Sequence, residues 1–240
     1  MNKNKKFIST FIILLIVGLI VVILPLLNKE NNVVQTFKNF DPIKIITNKS
    51  EAKVKDEDKN VRSKDIIGKI SIPGTNIDSD LMQTTDNEYY LKHDFNNRYN
   101  IYGWVYGDFR DDFEYFGTNT IMYAHNMTDR SMFGSLAWCL KESWYKNEDN
   151  YYIKMSTPKT NTIWKIFSIY TINPEVYYLK TYFENDEEHT IFLNTLKNRS
   201  IYDFQEDVSS DDKIITLSTC TDDGTKRIVI HAKMVKVQYR

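Results

Sequence analysis

Cysteine, proline and glycine are all scarce in this 240-residue chain, at two, five and eight residues. Two cysteines cannot build the disulfide framework by which small secreted domains replace a core, and the length is sufficient to bury a real one. So little Gly and Pro excludes collagen-like and low-complexity organisation, and no internal repeat is visible. Charge of one sign is also missing. The formal net charge is −1 with no basic stripe, so a nucleic-acid partner has no electrostatic footprint. What the chain does have is aromatics, 16 Tyr and 13 Phe, a composition that suits a β-rich globular domain.

Lys3, Lys5 and Lys6 precede Phe7–Leu27, an uncharged stretch whose polar members are Ser9 and Thr10. About 20 such residues at about 1.5 Å rise each span a bilayer's hydrocarbon core. No small-x-small cleavage site follows, which favours a retained anchor over a cleaved signal peptide. The flanking positive charge keeps residues 1–6 in the cytoplasm and sends the rest outside, giving a single-pass cell-membrane protein with its main domain extracellular. Residues 28–60, rich in Lys, Asn, Asp and Glu, read as a stalk, and a domain fills 61–240.

Within that domain, residues 66–74, 77–83, 118–125, 151–156, 162–172, 213–220 and 227–237 alternate or run apolar as strands do, bounded by turn residues. Residues 86–95, DNEYYLKHDF, read as a short helical or turn segment. SMFGSLAWCLK (131–141) reads as a helix carrying Cys139. NDEEHTIFLNTLKNR (185–199) is the best helix, with a stripe of Ile191, Phe192 and Leu196. Its acidic first turn is a start favoured by the helix dipole rather than a metal site. Seven or eight strands with few helices favour a β-barrel or sandwich.

The stretch TLSTCTDDGTKRIV (216–229) carries the chemistry. Side chains alternate across a strand, so Ile215 and Leu217 share one face while Thr216, Ser218 and Cys220 share the other. In the last strand Ile228, Ile230, Ala232 and Met234 form an apolar face, opposite Arg227, Val229, His231 and Lys233. With both apolar faces in one core, Cys220 and Arg227 emerge together on the outer face, at the same end of two strands joined by a short loop. A thiol attacking a peptide carbonyl generates an oxyanion, which a fixed guanidinium can hold. The alternative is a structural Cys139–Cys220 disulfide, which the extracellular compartment permits. Asp222 and Asp223 read as residues of an Asp-Asp-Gly turn.

A leaving amine needs a proton donor, usually histidine. Of the four, His125 ends a strand beside Tyr123, where clefts are built. His231 is mid-strand, four residues or roughly 13 Å from the loop end. His93 lies in a polar segment, and His189 in the exposed first turns of the late helix.

TLSTC with an arginine opening the next strand resembles the sortase signature. DNEYYLKHDF, then Gly103, Asp108 and Arg110, then NTIMYAHNM and SMFGSL, together with the helix before the cysteine strand, are similar to class B sortases. The resemblance spans about 61–240. It implies an eight-stranded sortase β-barrel with a few peripheral helices, and a cysteine transpeptidase of Gram-positive bacteria. Its partners would be surface proteins carrying a C-terminal sorting motif and an amine of peptidoglycan or its lipid-linked precursor. Cys220 would attack the Thr carbonyl to form a thioacyl intermediate, His125 would move the proton, and Arg227 would hold backbone and oxyanion. Substrate-binding roles carry over to Asn87, Leu91, Tyr123, Tyr178, Leu179 and Ser218. No metal or organic cofactor is implied. Three positions depart from the family pattern: Ala124 stands before the histidine where Gly is frequent, the loop Thr221–Lys226 is short, and Pro174 replaces a Thr. Two other readings remain, an extracellular cysteine peptidase that releases its product to water and a non-enzymatic membrane-anchored interaction domain.

Overall fold

The computed structural model describes residues 64–240. The expected cytoplasmic tail, membrane span (7–27) and stalk (28–60) lie outside the described residues. The strands are β1 (Ile66–Ser71), β2 (Asp78–Met82), β3 (Tyr106–Gly107), β4 (Asn119–Tyr123), β5 (Tyr152–Ser156), β6 (Thr160–Ile172), β7 (Ile214–Cys220) and β8 (Arg227–Tyr239). They close into one barrel in the order β1-β2-β3-β4-β7-β8-β6-β5. Closure leaves no free edge along the sheet. β4 and β7 run parallel, and β7–β8 and β8–β6 antiparallel.

The barrel interior holds the apolar faces read from the sequence: Ile215, Leu217, Ile228, Ile230 and Ala232 are all buried, with Ile70, Leu81, Ile153 and Ile163. Met234 departs from its face and is partly exposed; the β7 ladder ends at Lys233, so β8 from Met234 onward pairs with β6 alone. The opposite face of β7 and β8 is not open to solvent as expected. A helix, α3 (Asp186–Asn198), lies over it, and Phe192, Leu193 and Leu196 form a second core with Phe167, Tyr170, Tyr178, Ile214 and Val229. This explains why nearly the whole of β6 is buried, since one face meets the barrel and the other the helix layer. Asn185 caps α3, its Oδ1 accepting from the Glu188 N–H at 2.9 Å, and the acidic first turn faces the dipole as expected. Within the stripe, Ile191 turns out to be exposed and Leu193 takes its place.

Three further expectations change. The helix expected over 131–141 shrinks to α1 (Leu136–Cys139), followed by α2 (Glu142–Tyr145) after an extended Lys141. Arg130 and Met132 adopt positive φ, and a Cβ on Gly134 would meet the Met127 carbonyl at 2.3 Å, so tight backbone packing replaces helix there. Strand β4 stops at Tyr123, and the two-residue β3 has too short a pattern to be read from sequence. His189 is buried, not exposed: its ring lies 4.5 Å from Phe183, and its Nδ1 meets the Ser210 carbonyl at 3.0 Å.

Candidate active site

Three elements converge at one end of the barrel. β7 ends at Cys220, and its register sets Cys220 directly opposite Arg227 on β8. Opposed residues of an antiparallel pair project on the same face. The turn between them is closed by Thr221 N–H donating to the Lys226 carbonyl at 3.0 Å, and Gly224 takes the left-handed conformation (φ 71°) the turn requires. On the other side, the parallel ladder pairs Tyr123 with Ser218. Two residues further along each chain lie His125 and Cys220. Contacts on both sides hold them level: Thr219 Oγ1 donates to the Ala124 carbonyl at 2.7 Å, and Asn126 Nδ2 to the Cys220 carbonyl at 2.9 Å.

Cys220 is partly exposed and a free thiol. Cys139 is also free, fully buried in α1, and burial pushes its thiol pKa upward. The disulfide reading is therefore set aside. His125 is partly buried, with Nε2 at 2.9 Å from the Leu91 carbonyl. A carbonyl only accepts, so Nε2 carries its hydrogen and Nδ1 is left to exchange a proton.

His231 has a different task. It is wholly buried, with Nδ1 2.9 Å from Thr216 Oγ1 and Nε2 2.9 Å from the Tyr170 hydroxyl. Thr216 donates in turn to Asn119 Oδ1 at 2.6 Å, and Asn119 Nδ2 donates to the carbonyls of Tyr178 and Lys180 at 3.1 and 2.9 Å. Desolvation pushes the His231 pKa down to about 3. It is a neutral strut under the short 3-10 turn Tyr177–Leu179.

That turn is one wall of the site. The Tyr178 hydroxyl is 3.0 Å from Ser218 Oγ. Burial raises its pKa, and the charges of Arg227 and Cys220 also act on it, so the phenol lies beside the candidate pair. Another wall is the 3-10 turn Tyr89–Leu91, preceded by Asp86, whose Oδ1 accepts from the Glu88 and Tyr89 N–H groups at 2.8 Å each. Gly103 packs its backbone against this turn: at φ 58°, a Cβ there would come within 2.3 Å of the Tyr90 carbonyl.

The structure thus brings His125, Cys220, Arg227, Tyr178 and Ser218 to one place, with Leu91 joined to His125 through its carbonyl. Asn87 is committed elsewhere. Its Nδ2 donates to Asp108 Oδ2 at 3.0 Å, and its Oδ1 accepts from the Phe109 N–H at 3.0 Å. Tyr123 donates its hydroxyl to the same Asp108 oxygen at 2.9 Å, and the Leu179 carbonyl accepts from Arg110 Nη2 at 3.2 Å.

Sequence reasoning missed the fastening between the segment after His125 and the loop after Cys220. Asp223 does serve the turn, accepting from Thr221 and Thr225. Asp222 instead reaches across to Arg130, with a bidentate pair at 2.8 and 2.9 Å, and to Asn126 Nδ2 at 2.9 Å. These hydrogen bonds, Arg130 first, hold the Asp222 carboxyl down to about 2. Nothing in a run of Asp-Asp-Gly signals a partner 92 residues earlier.

A family model described as a sortase domain matches residues 70–235. Sortase B of Staphylococcus aureus is 36% identical over 183 residues, 73% of this chain and 72% of that protein. A solved Staphylococcus aureus sortase B–substrate complex superposes with a TM-score of 0.69 at 32% identity, covering 80% of this chain and 91% of that one. A sortase B complexed with triglycine gives 0.71 at 30% identity, over 87% of this chain and 98% of that one. The residues matched by the family model include His125, Cys220, Arg227 and the whole of α3. The chain belongs to the sortase family of cysteine transpeptidases and is similar to its class B members.

Proposed function

We propose that the chain is a cell-surface transpeptidase that cleaves a C-terminal sorting motif after Thr and transfers the protein to an amine of peptidoglycan or its precursor. The observation that carries this reading is the register that opposes Cys220 to Arg227 and brings His125 level with them through the β4–β7 ladder.

The Cys220 thiolate attacks the Thr carbonyl carbon, and the carbonyl π electrons move to oxygen. Arg227 donates to that oxyanion, where a fixed cation stabilises charge that exists only in the transition state. Collapse of the tetrahedral centre breaks the C–N bond, and the departing amine takes a proton from His125 Nδ1. A thioester on Cys220 remains. An incoming amine loses a proton to His125 and attacks the thioester carbonyl, forming a new amide bond and releasing the Cys220 thiolate. The walls at Leu91 and at Tyr178–Leu179 hold the peptide during both halves. Residues 7–27 anchor the enzyme with residues 61–240 outside the cell.

A panel of Thr-containing peptides read by mass spectrometry tests this, with and without triglycine, the amine to try first given the relative solved in complex with it. The expected products are a thioester adduct on Cys220, cleavage after Thr, and a triglycine-linked product, all absent in Cys220→Ala. Product identity unchanged by triglycine would favour release to water instead.

A further inference from the structure

A short way beyond Gly103 and its contact with the Leu91 turn, the backbone at Asp108 enters the molecule and places a carboxylate where no water reaches it: Asp108 is 0% exposed. Five hydrogen bonds converge on it. Oδ1 accepts from Arg110 N–H at 3.0 Å and from Arg110 Nε at 2.8 Å. Oδ2 accepts from Arg110 Nη2 at 2.8 Å, the Tyr123 hydroxyl at 2.9 Å and Asn87 Nδ2 at 3.0 Å. All of these are donors, so only an ionised carboxylate satisfies the set; a carboxamide must turn its own N–H groups toward donors on one side or the other. Burial alone would raise the carboxyl pKa, but the bonds from Arg110 and Tyr123 outweigh it and hold the group below the usual carboxylate range.

The partners come from segments far apart in sequence. Asn87 stands at the start of the turn that ends at Leu91. Tyr123 closes β4 two residues before His125. Arg110 extends the hub to the Leu179 carbonyl on the opposite wall, at 3.2 Å. The backbone of Asp108 is itself fixed, its N–H to the Ile121 carbonyl at 2.9 Å and its own carbonyl to Gln83 Nε2 at 2.7 Å. Of the six positions to which substrate contact was assigned by resemblance, Asn87 and Tyr123 therefore meet at a single buried charge, and Leu179 is joined to it through Arg110.

We propose that Asp108 is a specificity-determining positioning residue: acting through Asn87, Tyr123 and Arg110, it sets the spacing of the walls that select the sorting peptide, without touching peptide or nucleophile. This rests on the reading of Cys220 as nucleophile and of these walls as the peptide site. The consequence is a division of labour. The register of β4, β7 and β8 places the reacting groups, and the Asp108 hub places what recognises the substrate. Disturbing the hub then weakens and broadens recognition while leaving the chemistry intact.

The experiment compares the full-length protein with Asp108→Asn, Tyr123→Phe and Cys220→Ala. The probes are a Thr-centred peptide array, steady-state kinetics on its best-cleaved member, and the rate of Cys220 alkylation by iodoacetamide. Cys139, fully buried, does not compete for the reagent. For Asp108→Asn the expected result is a KM raised roughly tenfold, the scale of losing a charge-assisted bond, with kcat and alkylation rate within about twofold of wild type. The array preference should broaden at positions flanking Thr. Tyr123→Phe keeps the ring and removes one bond, so it should shift KM and the array in the same direction by a few-fold, and it remains decisive if Asp108→Asn does not fold. A lowered Tm with unchanged KM and array profile in both variants would reduce Asp108 to a structural residue and overturn the proposal. So would a loss confined to kcat and alkylation, which would make the hub part of the catalytic centre. An active Cys220→Ala enzyme would instead overturn the underlying reading, and is distinguishable because it needs no hub variant.

Discussion

The buried histidine of β8 makes a quantitative prediction about acid. His231 is enclosed by donors and acceptors in one consistent pattern. Asn119 Nδ2 is spent on two carbonyls, so its Oδ1 accepts from Thr216, and Thr216 then accepts from His231 Nδ1–H. Nε2 is left to accept from the Tyr170 hydroxyl, which is itself 2.9 Å from the Tyr177 hydroxyl. The neutral ring satisfies every member, and a second proton has no acceptor. Burial holds the folded-state pKa at about 3, against an ordinary value of 6.5. The unfolded chain therefore binds more protons wherever pH lies between these values, and stability falls as pH is lowered through that window. The loss contributed by His231 is about 2 kcal/mol at pH 5 and approaches about 5 kcal/mol below pH 3. Asp111 runs the other way, because desolvation raises its carboxyl pKa to about 7 and the folded state is relieved of a buried charge on acidification. The raw pH curve mixes the two. The assay is therefore urea unfolding of wild type and His231→Gln at pH 7, 6 and 5, followed by tryptophan fluorescence. Gln can accept from Tyr170 and donate to Thr216 without titrating. The stability advantage of wild type over the variant should shrink by about 2 kcal/mol between pH 7 and pH 5. Parallel curves would refute the assignment of a neutral buried strut. Because the folded ring stays neutral through this window, the Asn119 network and the turn at Tyr177–Leu179 should keep their geometry in the protein that remains folded.

Four further outcomes are expected. His125→Ala should reduce turnover of the best peptide by at least ~100-fold, the scale of general acid–base catalysis, while His231→Gln retains it at neutral pH; the reverse would move the proton carrier to β8. Ellman titration should find one reactive thiol in the native protein and both after denaturation; two native thiols would contradict the burial of Cys139. The Arg130–Asp222 pair is partly exposed, at 29% and 60% of its side chains, so a double-mutant cycle should give a coupling under about 1 kcal/mol that falls with added salt. Its contribution should persist down to about pH 4, where the unfolded Asp begins to protonate, and vanish as pH falls through about 2. Gly103→Ala should destabilise by about 1 kcal/mol or more and lower kcat, because the added Cβ displaces the Leu91 backbone whose carbonyl holds His125; unchanged Tm and kcat would contradict that coupling.

The sequence by itself determined the two ends of the site. Period-two alternation in TLSTC and RIVIHA fixes which residues share a face, and a six-residue turn fixes that Cys220 and Arg227 adjoin, so that juxtaposition was legible without coordinates. So were α3, from its acidic first turn and apolar stripe, and most strands, whose patterns are local. Tertiary structure alone decided the rest, because those features are set by partners distant in sequence. The outer face of β7 and β8 looked solvent-facing until α3 covered it, and His189 and His231 became buried struts rather than exposed or competing bases. The parallel pairing of β4 with β7, which brings His125 level with Cys220, leaves no signal in either strand. The gathering of Asn87, Arg110 and Tyr123 around Asp108 is of the same kind. A carboxylate's need for donors can be read from its chemistry, but which donors arrive depends on how a closed barrel folds distant segments onto one another.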